Sequence, residues 1–307
     1  MSKKIIYPFI ISAIALLLSG CIKSDLSHCD LKADLVIKAL HTDGTDITST
    51  GDAGNVMLFT FDDNGAFISK QFIPAQNIID GNTIPVSIES NAAYRYVAWS
   101  NITDTVKMFD FDGKRNLNQN KVLPLINADG YADIEKDIFY GKKRVTGKDA
   151  QATPLIELQI RRALAQIHVS VVGLPETENP ANYEIVIGND DQTAFDFENQ
   201  VQRQGSIQYK QEPVWLIDKK MMGTLKAFST LPSPAGASKT VLLYKNGELL
   251  ASATQDIEGK SIAPKAEQRV NVLIDLNREC QCPDDSGTIE IKIEVSDWNQ
   301  VVEWKVW

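Results

Sequence analysis

Residues 289–295 read Ile289-Glu290-Ile291-Lys292-Ile293-Glu294-Val295, alternating β-branched apolar and charged side chains. Successive side chains of a strand point to opposite faces, so this period of two gathers the apolar groups on one face and the charges on the other. A strand of this kind belongs to a sheet with one buried and one wet face. The pattern recurs upstream in Val270, Val272, Ile274 and Leu276, and in Ile156, Leu158 and Ile160 between Glu157, Gln159 and Arg161. Val56–Phe61 and Phe67–Ile73 flank Asp62-Asp63-Asn64-Gly65, while Val241–Lys245 and Glu248–Ser252 flank Asn246-Gly247. Asn-Gly between apolar runs is a hairpin signal, since both residues tolerate φ > 0. The first of these turns resembles part of a calcium loop but lacks its bidentate Glu and alternating oxygen ligands, so it reads as a turn.

Further strands are expected at Leu31–Leu40, Thr83–Glu89, Tyr94–Asn101, Asp133–Tyr140, Tyr183–Gly188, Ile207–Lys210, Val214–Ile217 and Leu225–Ser229. In Tyr94–Asn101, Tyr94, Tyr96 and Ala98 share one face and Arg95, Val97 and Trp99 the other. From Ala163 the apolar positions change parity, continuing through Ala165, Ile167, Val169 and Val171. A one-residue slip moves a strand's side chains to the other face, so Arg161-Arg162 marks a bulge or break. The competing reading of 161–168 is a short helix. Short strands at close spacing with few helical patterns give an all-β fold of two tandem antiparallel β-sandwiches. The polar stretch Lys142–Ala152 is the candidate linker, dividing an N-terminal sandwich over 31–150 from a C-terminal one over 151–307.

The 307 residues carry 31 Lys+Arg against 40 Asp+Glu, a net charge of −9, with 43% apolar and 23% charged side chains. That is ordinary globular composition, sufficient for two domains with their own cores. An acidic balance without a basic block excludes nucleic acid as the expected partner, because phosphate neutralisation needs clustered cations. Only 3 His and 4 Cys are available. No nucleophile elbow, zinc-protease helix motif, dinucleotide fingerprint or phosphate loop occurs, and no catalytic residue, metal site or cofactor is expected.

The N-terminus reads as an export signal. Lys3 and Lys4 precede the apolar run Ile5–Leu18, and Leu18-Ser19-Gly20-Cys21 follows. The run falls short of the about 20 residues a spanning helix needs and fits a signal-peptide core. The last four residues resemble a bacterial lipobox, in which the cysteine thiol carries the lipid and the upstream segment is removed. Residues 1–20 are then the signal peptide, Cys21 the lipidation site and 21–30 a tether; the alternative is an ordinary secretory signal with an incidental cysteine. Loss of Lys3 and Lys4 leaves 29 basic against 40 acidic side chains, a net −11. Durable anchoring takes two or more acyl chains, and a lipoprotein cysteine normally carries three. Ile22, rather than Asp, follows the cysteine, which favours the outer membrane.

Cys29, Cys280 and Cys282 remain, and an exported chain is free to pair them. The expectation is a bridge from Cys29 to Cys280 or Cys282, against the alternative of three free thiols. The short C-x-C spacing without a second cysteine pair does not make a four-cysteine zinc site. His28 and His41 are read as lying near the tether, and His168 as a strand residue rather than a base. The acidic pairs Asp62-Asp63, Asp190-Asp191 and Asp284-Asp285 sit at turn-like sites and select no catalytic couple. Core packing is expected for Trp99 and Trp215. The C-terminal run Val301–Trp307 reads as a strand whose Trp304 and Trp307 cannot share a face, making it a candidate sticky edge.

These pieces fall in a familiar order. Cys21 is followed by Cys29-Asp30-Leu31, Leu58-Phe59-Thr60-Phe61-Asp62 with its hairpin, Tyr96-Val97-Ala98-Trp99-Ser100-Asn101 and Phe139-Tyr140-Gly141. The second half supplies Leu158–Val169 with Arg162-Ala163-Leu164-Ala165, then Val295-Ser296-Asp297-Trp298. Over essentially the full mature chain this resembles the FimB/Mfa-type fimbrial anchor lipoproteins of Bacteroidia-type bacteria, with Ser100 where a Gly-like residue is expected. The resemblance implies two transthyretin-like sandwiches, no enzymatic activity, and a place at the base of a surface fimbrium, held to the outer membrane by lipid and limiting fimbrial length. Partners would be fimbrial shaft subunits, engaged by strand exchange. The partner-binding candidates are Val301, Val302, Trp304, Val306 and Trp307, with Ile289–Val295 beside them; the alternative is that these strands only close the second sandwich. Alternatives of function are a tip or accessory fimbrial subunit, or a surface glycan-binding lipoprotein.

Overall fold

The computed structural model describes residues 30–102, 109–216, 220–276, 289–298, 300, 302 and 304. The strands are β1 (Asp30–Ala39), β2 (Val56–Asp62), β3 (Phe67–Ile73), β4 (Ile84–Glu89), β5 (Ala93–Ser100), β6 (Phe109–Asp110), β7 (Lys121–Val122), β8 (Leu125–Ile126), β9 (Ala132–Asp133), β10 (Phe139–Thr146) and β11 (Leu155–Arg162). They continue with β12 (Ala165–Val172), β13 (Tyr183–Asp196), β14 (Val201–Gln211), β15 (Val214–Leu216), β16 (Met221–Gly223), β17 (Phe228–Thr230), β18 (Thr240–Lys245), β19 (Glu248–Ala253), β20 (Gln268–Asp275) and β21 (Glu290–Asp297). Among the described residues, two short α-helices, α1 (Ala75–Ile79) and α2 (Gly147–Ala152), interrupt them. The all-β expectation holds. Two strand pairs, β1–β11 and β12–β20, run parallel among otherwise antiparallel neighbours.

The first body is a seven-stranded sheet in the order β3-β2-β5-β10-β11-β1-β4, folded onto itself. Leu35, Ile37 and Ala39 from β1, Leu158 and Ile160 from β11, and Ile88 from β4 meet Val56, Leu58, Tyr96 and Ala98 in one core. The fold line lies at β10–β11, which pair only at Phe139↔Arg162 and Tyr140↔Arg161. Gly141 follows directly. A Cβ there would overlap the Gln159 carbonyl, so only glycine lets the two layers approach at this corner.

The second body packs the sheet β15-β16-β12-β20-β21, with β17 beside β12, against the sheet β19-β18-β13-β7-β6, with β14 beside β13. Ile167, Val169 and Val171 of β12 and Val270, Val272 and Ile274 of β20 face Tyr183, Ile185 and Ile187 of β13 and Val241 and Leu243 of β18. The turn residues behave as their chemistry requires: Asn246 and Gly247 have φ 50 and 81, and Asp62 Oδ1 accepts the amides of Asn64 and Ala66 at 2.9 and 2.8 Å.

Three expectations about organisation change. The division at 150/151 moves to Arg162–Ala165, because β11 pairs along β1 in the first sheet while β6 and β7 join the second body. Lys142–Ala152 is not a linker: β10 pairs with β5 through Thr146↔Ala93, and a capping box between Thr146 and Asp149 then starts α2. Asp133–Tyr140 is not one strand, since β9 ends at Asp133 and β10 starts at Phe139. The parity change at Arg161-Arg162 is a break. β11 ends at Arg162, Ala163-Leu164 cross between sheets, and β12 begins at Ala165.

Both faces of β5 are buried. Tyr96 and Ala98 enter the first core, whereas Val97 and Trp99 turn outward into a third apolar cluster between the bodies. There Phe59, Phe61 and Trp99 meet Phe195 and Phe197 from the end of β13, with Leu117, Val122, Leu164 and Trp298 around them. Phe59 and Phe197 lie edge-on at 4.8 Å, and Trp99 lies 5.7 Å from Phe195. Aromatic pairs in such geometries add about 0.5–1.5 kcal/mol beyond the area they bury. This cluster joins the two sandwiches through buried apolar side chains.

Candidate partner interface

Direction along the chain organises the molecule. β1 opens at Asp30 opposite Glu89, beside α2, and ends at Ala39 opposite Ile160, next to the interface with the second body. At about 3.3 Å per residue, its ten residues carry the N-terminal end some 30 Å from that interface. β12 then leaves the interface, and β20 runs parallel with it from Gln166↔Arg269 to Val172↔Asp275. β21 returns to Asp297 opposite Gln268, and Trp298 is buried in the inter-body cluster.

The described residues of the C-terminal segment turn back there and cover the outer face of β12 and β20. Arg269 donates to the Gln300 carbonyl at 3.2 Å and, through Nε and Nη2, to Gln166 Oε1 at 2.8 and 2.6 Å. Ser296 Oγ donates to the same Gln300 carbonyl at 3.4 Å and accepts from Asn271 Nδ2 at 3.0 Å. Val302 walls a groove of about 910 Å³ whose lining includes Gln166, His168, Arg269 and Asn271. Trp304 reaches the far end of the face, against the cluster of Val172, Met221 and Leu273. The segment therefore points away from the end where β1 begins.

Of the expected partner-binding residues, Val302 and Trp304 are half-buried on this face and belong to no strand. Val301, Val306 and Trp307 lie outside the described residues, as do Cys21, Cys29, Cys280, Cys282 and His28. Asp30, next to Cys29, opens the first sandwich, while Asp275 and Glu290, which flank Cys280 and Cys282, stand at the opposite end of the second. β21 stands at the edge of its sheet, and Lys260 Nζ donates to its Ile293 carbonyl at 2.9 Å, which guards that edge. Trp99 is buried in the core as expected; Trp215 is half-buried, and its indole donates to the Glu178 carbonyl at 3.1 Å.

His41 is not near the tether. It lies at the far end of β1, where its Nδ1 is 2.9 Å from Nη1 of Arg162. Arg162 is the residue that pattern reading left without a role: it stood at a parity break and in the segment Arg162–Ala165, with no partner assigned. Its Nε donates to Asp137 and its Nη2 to Asp52, both at 2.9 Å, and its ring neighbours are Phe139 at 5.0 Å and Trp298 at 5.6 Å. Its backbone amide donates to Glu267 Oε1 at 3.0 Å, and Thr42 donates to the other oxygen of that carboxylate. Glu267, just before β20, is held at φ 62. The clamp thus ties β1, β11 and β20 together.

His168 lies in the groove under the C-terminal segment. Burial, and then the Arg269 guanidinium, hold its imidazole below the usual histidine value. A depressed folded-state value means the unfolded chain binds the proton first, so this contribution is complete above about pH 6.5 and is lost as pH falls through the folded value. Urea midpoints measured from pH 7 to 5 should therefore fall more steeply for the native chain than for His168→Gln.

Among the described residues, no group of three or more His, Cys, Asp or Glu side chains is placed to hold a metal ion, and no helix is long and apolar enough to cross a membrane. Comparison with known proteins places this architecture. The family model for fimbrillin-A associated anchor proteins Mfa1 and Mfa2 matches residues 26–304. The major fimbrium anchoring subunit FimB of Porphyromonas gingivalis is 24% identical over 315 residues, covering 99% of this chain and 98% of FimB. The fimbrial anchor protein Mfa2 of Porphyromonas gingivalis superposes with a TM-score of 0.61 at 18% identity, covering 86% of this chain and 98% of Mfa2. A putative polysaccharide binding protein of Bacteroides thetaiotaomicron gives 0.64 at 14% identity over 88% of this chain and 98% of its own. The paired sandwiches share the fold of these solved structures. The chain belongs to the family of fimbrillin-A associated anchor proteins Mfa1 and Mfa2.

Proposed function

We propose that this protein is an outer-membrane lipoprotein that anchors a fimbrium and limits its length. Cys21 carries the lipid, residues 21–30 form the tether, and the second sandwich with Val301–Trp307 meets the first shaft subunit. The observation that carries this reading is polarity: β1 begins at one end of the molecule, and the C-terminal segment leaves the junction toward the other. A base subunit needs its two attachments at opposite ends. The anchoring role named for the relatives supports the same assignment. Main-chain hydrogen bonds and pockets for alternate side chains would give the shaft contact its affinity and specificity.

A chain ending at Gln300 tests the shaft contact. With the sandwiches intact by circular dichroism, it should no longer copurify with shaft subunits that the full-length lipoprotein retains. Undiminished recovery of shaft subunits by the folded, shortened chain would remove the C-terminal segment from the interface.

A further inference from the structure

Any pull on the N-terminal end enters the described structure at Asp30, the first residue of β1. β1 is an interior strand, paired over six residues with β4 and over six with β11. The β11 pairing is parallel, with even-numbered amides of β1 turned toward β11: Asp34 donates to the Pro154 carbonyl at 2.7 Å and Leu40 to that of Ile160 at 2.9 Å. β11 leads through Ala163-Leu164 into β12 and the second body. Tension between the N-terminal end and the second body therefore draws β1 and β11 in opposite senses along one axis. Their ladder is loaded in shear, all rungs together, whereas an edge strand pulled from one end peels rung by rung.

The far end of β1 is pinned as well. Arg161 Nη1 donates to the carbonyls of His41 and Thr42 at 2.7 and 3.2 Å. Arg162 meets His41, and Thr42 meets Glu267 at the root of β20. β20 in turn pairs in parallel with β12 over seven residues. Load leaving β1 thus has two routes into the second sandwich, and both end on parallel ladders.

We infer that β1, held in shear between β4 and β11 and pinned at His41-Thr42, is a mechanical clamp that sustains tension between the N-terminal end and the second sandwich. The inference takes the source of that tension from the anchor reading, while the clamp itself is a property of the purified chain.

Single-molecule force spectroscopy on the full mature chain tests it. One handle sits at Gly247, an open turn of the β18–β19 hairpin; the other is placed at the N-terminus or at Gly81, the open turn before edge strand β4. At matched force the first rupture should be about ten-fold slower from the N-terminus, because the rungs of a sheared ladder break together rather than one by one. Asp34→Pro removes the first rung to β11 at an exposed position. It should speed rupture about five- to ten-fold from the N-terminus and leave the Gly81 pull unchanged. Equal lifetimes in the two geometries, or an Asp34→Pro lifetime equal to wild type, would overturn the clamp. Should Asp34→Pro not fold, the comparison of handles decides alone. None of these outcomes bears on whether fimbriae depend on Cys21, so failure of the clamp and failure of the anchor reading are separable.

Discussion

Arg162→Ala is expected to lower the unfolding free energy by about 3 kcal/mol, at the low end of what breaking a buried ion pair costs. The Arg162 side chain is only 3% exposed, and its guanidinium is shared between two carboxylates, a histidine nitrogen and two aromatic rings. Truncation strands Asp137, which is 27% exposed, whereas Asp52, at 46%, recovers much of its hydration. That asymmetry sets the figure below the top of the range. Arg162→Lys should recover little of the loss, because a point charge cannot bond Asp52, Asp137 and His41 in one plane. Arg162→Met keeps most of the volume between Phe139 and Trp298 and so separates lost packing from lost bonding. Urea denaturation is the measurement: the midpoint should fall for all three variants while the slope stays that of the native chain, since the same surface is exposed.

The clamp also shows how far the sequence could be read. Strand positions followed from alternation: in β21, Ile291 and Ile293 are buried while Lys292 and Glu294 are exposed, and a period of two records that directly. Both hairpin turns were legible because positive φ restricts the residue types allowed there. Pairing partners were not legible. Nothing local in Leu155–Arg162 says that it lies parallel to β1 more than a hundred residues earlier, so the division between bodies was set too early, at a polar stretch that is the end of β10 and a capped helix. Arg162 failed for a related reason. Its partners His41, Asp52, Asp137 and Glu267 come from four separate segments, and each alone reads as an ordinary surface residue. The C-terminal segment carried the weakest local signal: β-branched residues and tryptophans suit a strand, yet Val302 and Trp304 cover the outer face of a sheet without pairing into it.

Cys21→Ala should have the largest effect in the cell: nearly complete transfer of the protein from the membrane fraction to the soluble fraction, with fimbriae shed into the medium. The proposed attachment is a lipid thioether, and alanine offers no sulfur to receive it. Each methylene withdrawn from the bilayer forfeits about 0.8 kcal/mol, so removing several acyl chains abolishes retention outright. Among the described residues no helix is able to take over, and the body presents a net acidic chain with little attraction for anionic lipid. The substitution lies outside both sandwiches, so the released protein should keep the native urea midpoint. A folded protein lost from the membrane together with its fimbriae separates failed attachment from failed folding. Immunoblots of membrane, soluble and medium fractions read the outcome, and mass spectrometry of the native amino terminus reads the modification. Fimbriae retained at normal length on cells carrying only Cys21→Ala would mean that something other than the lipid holds this base to the surface.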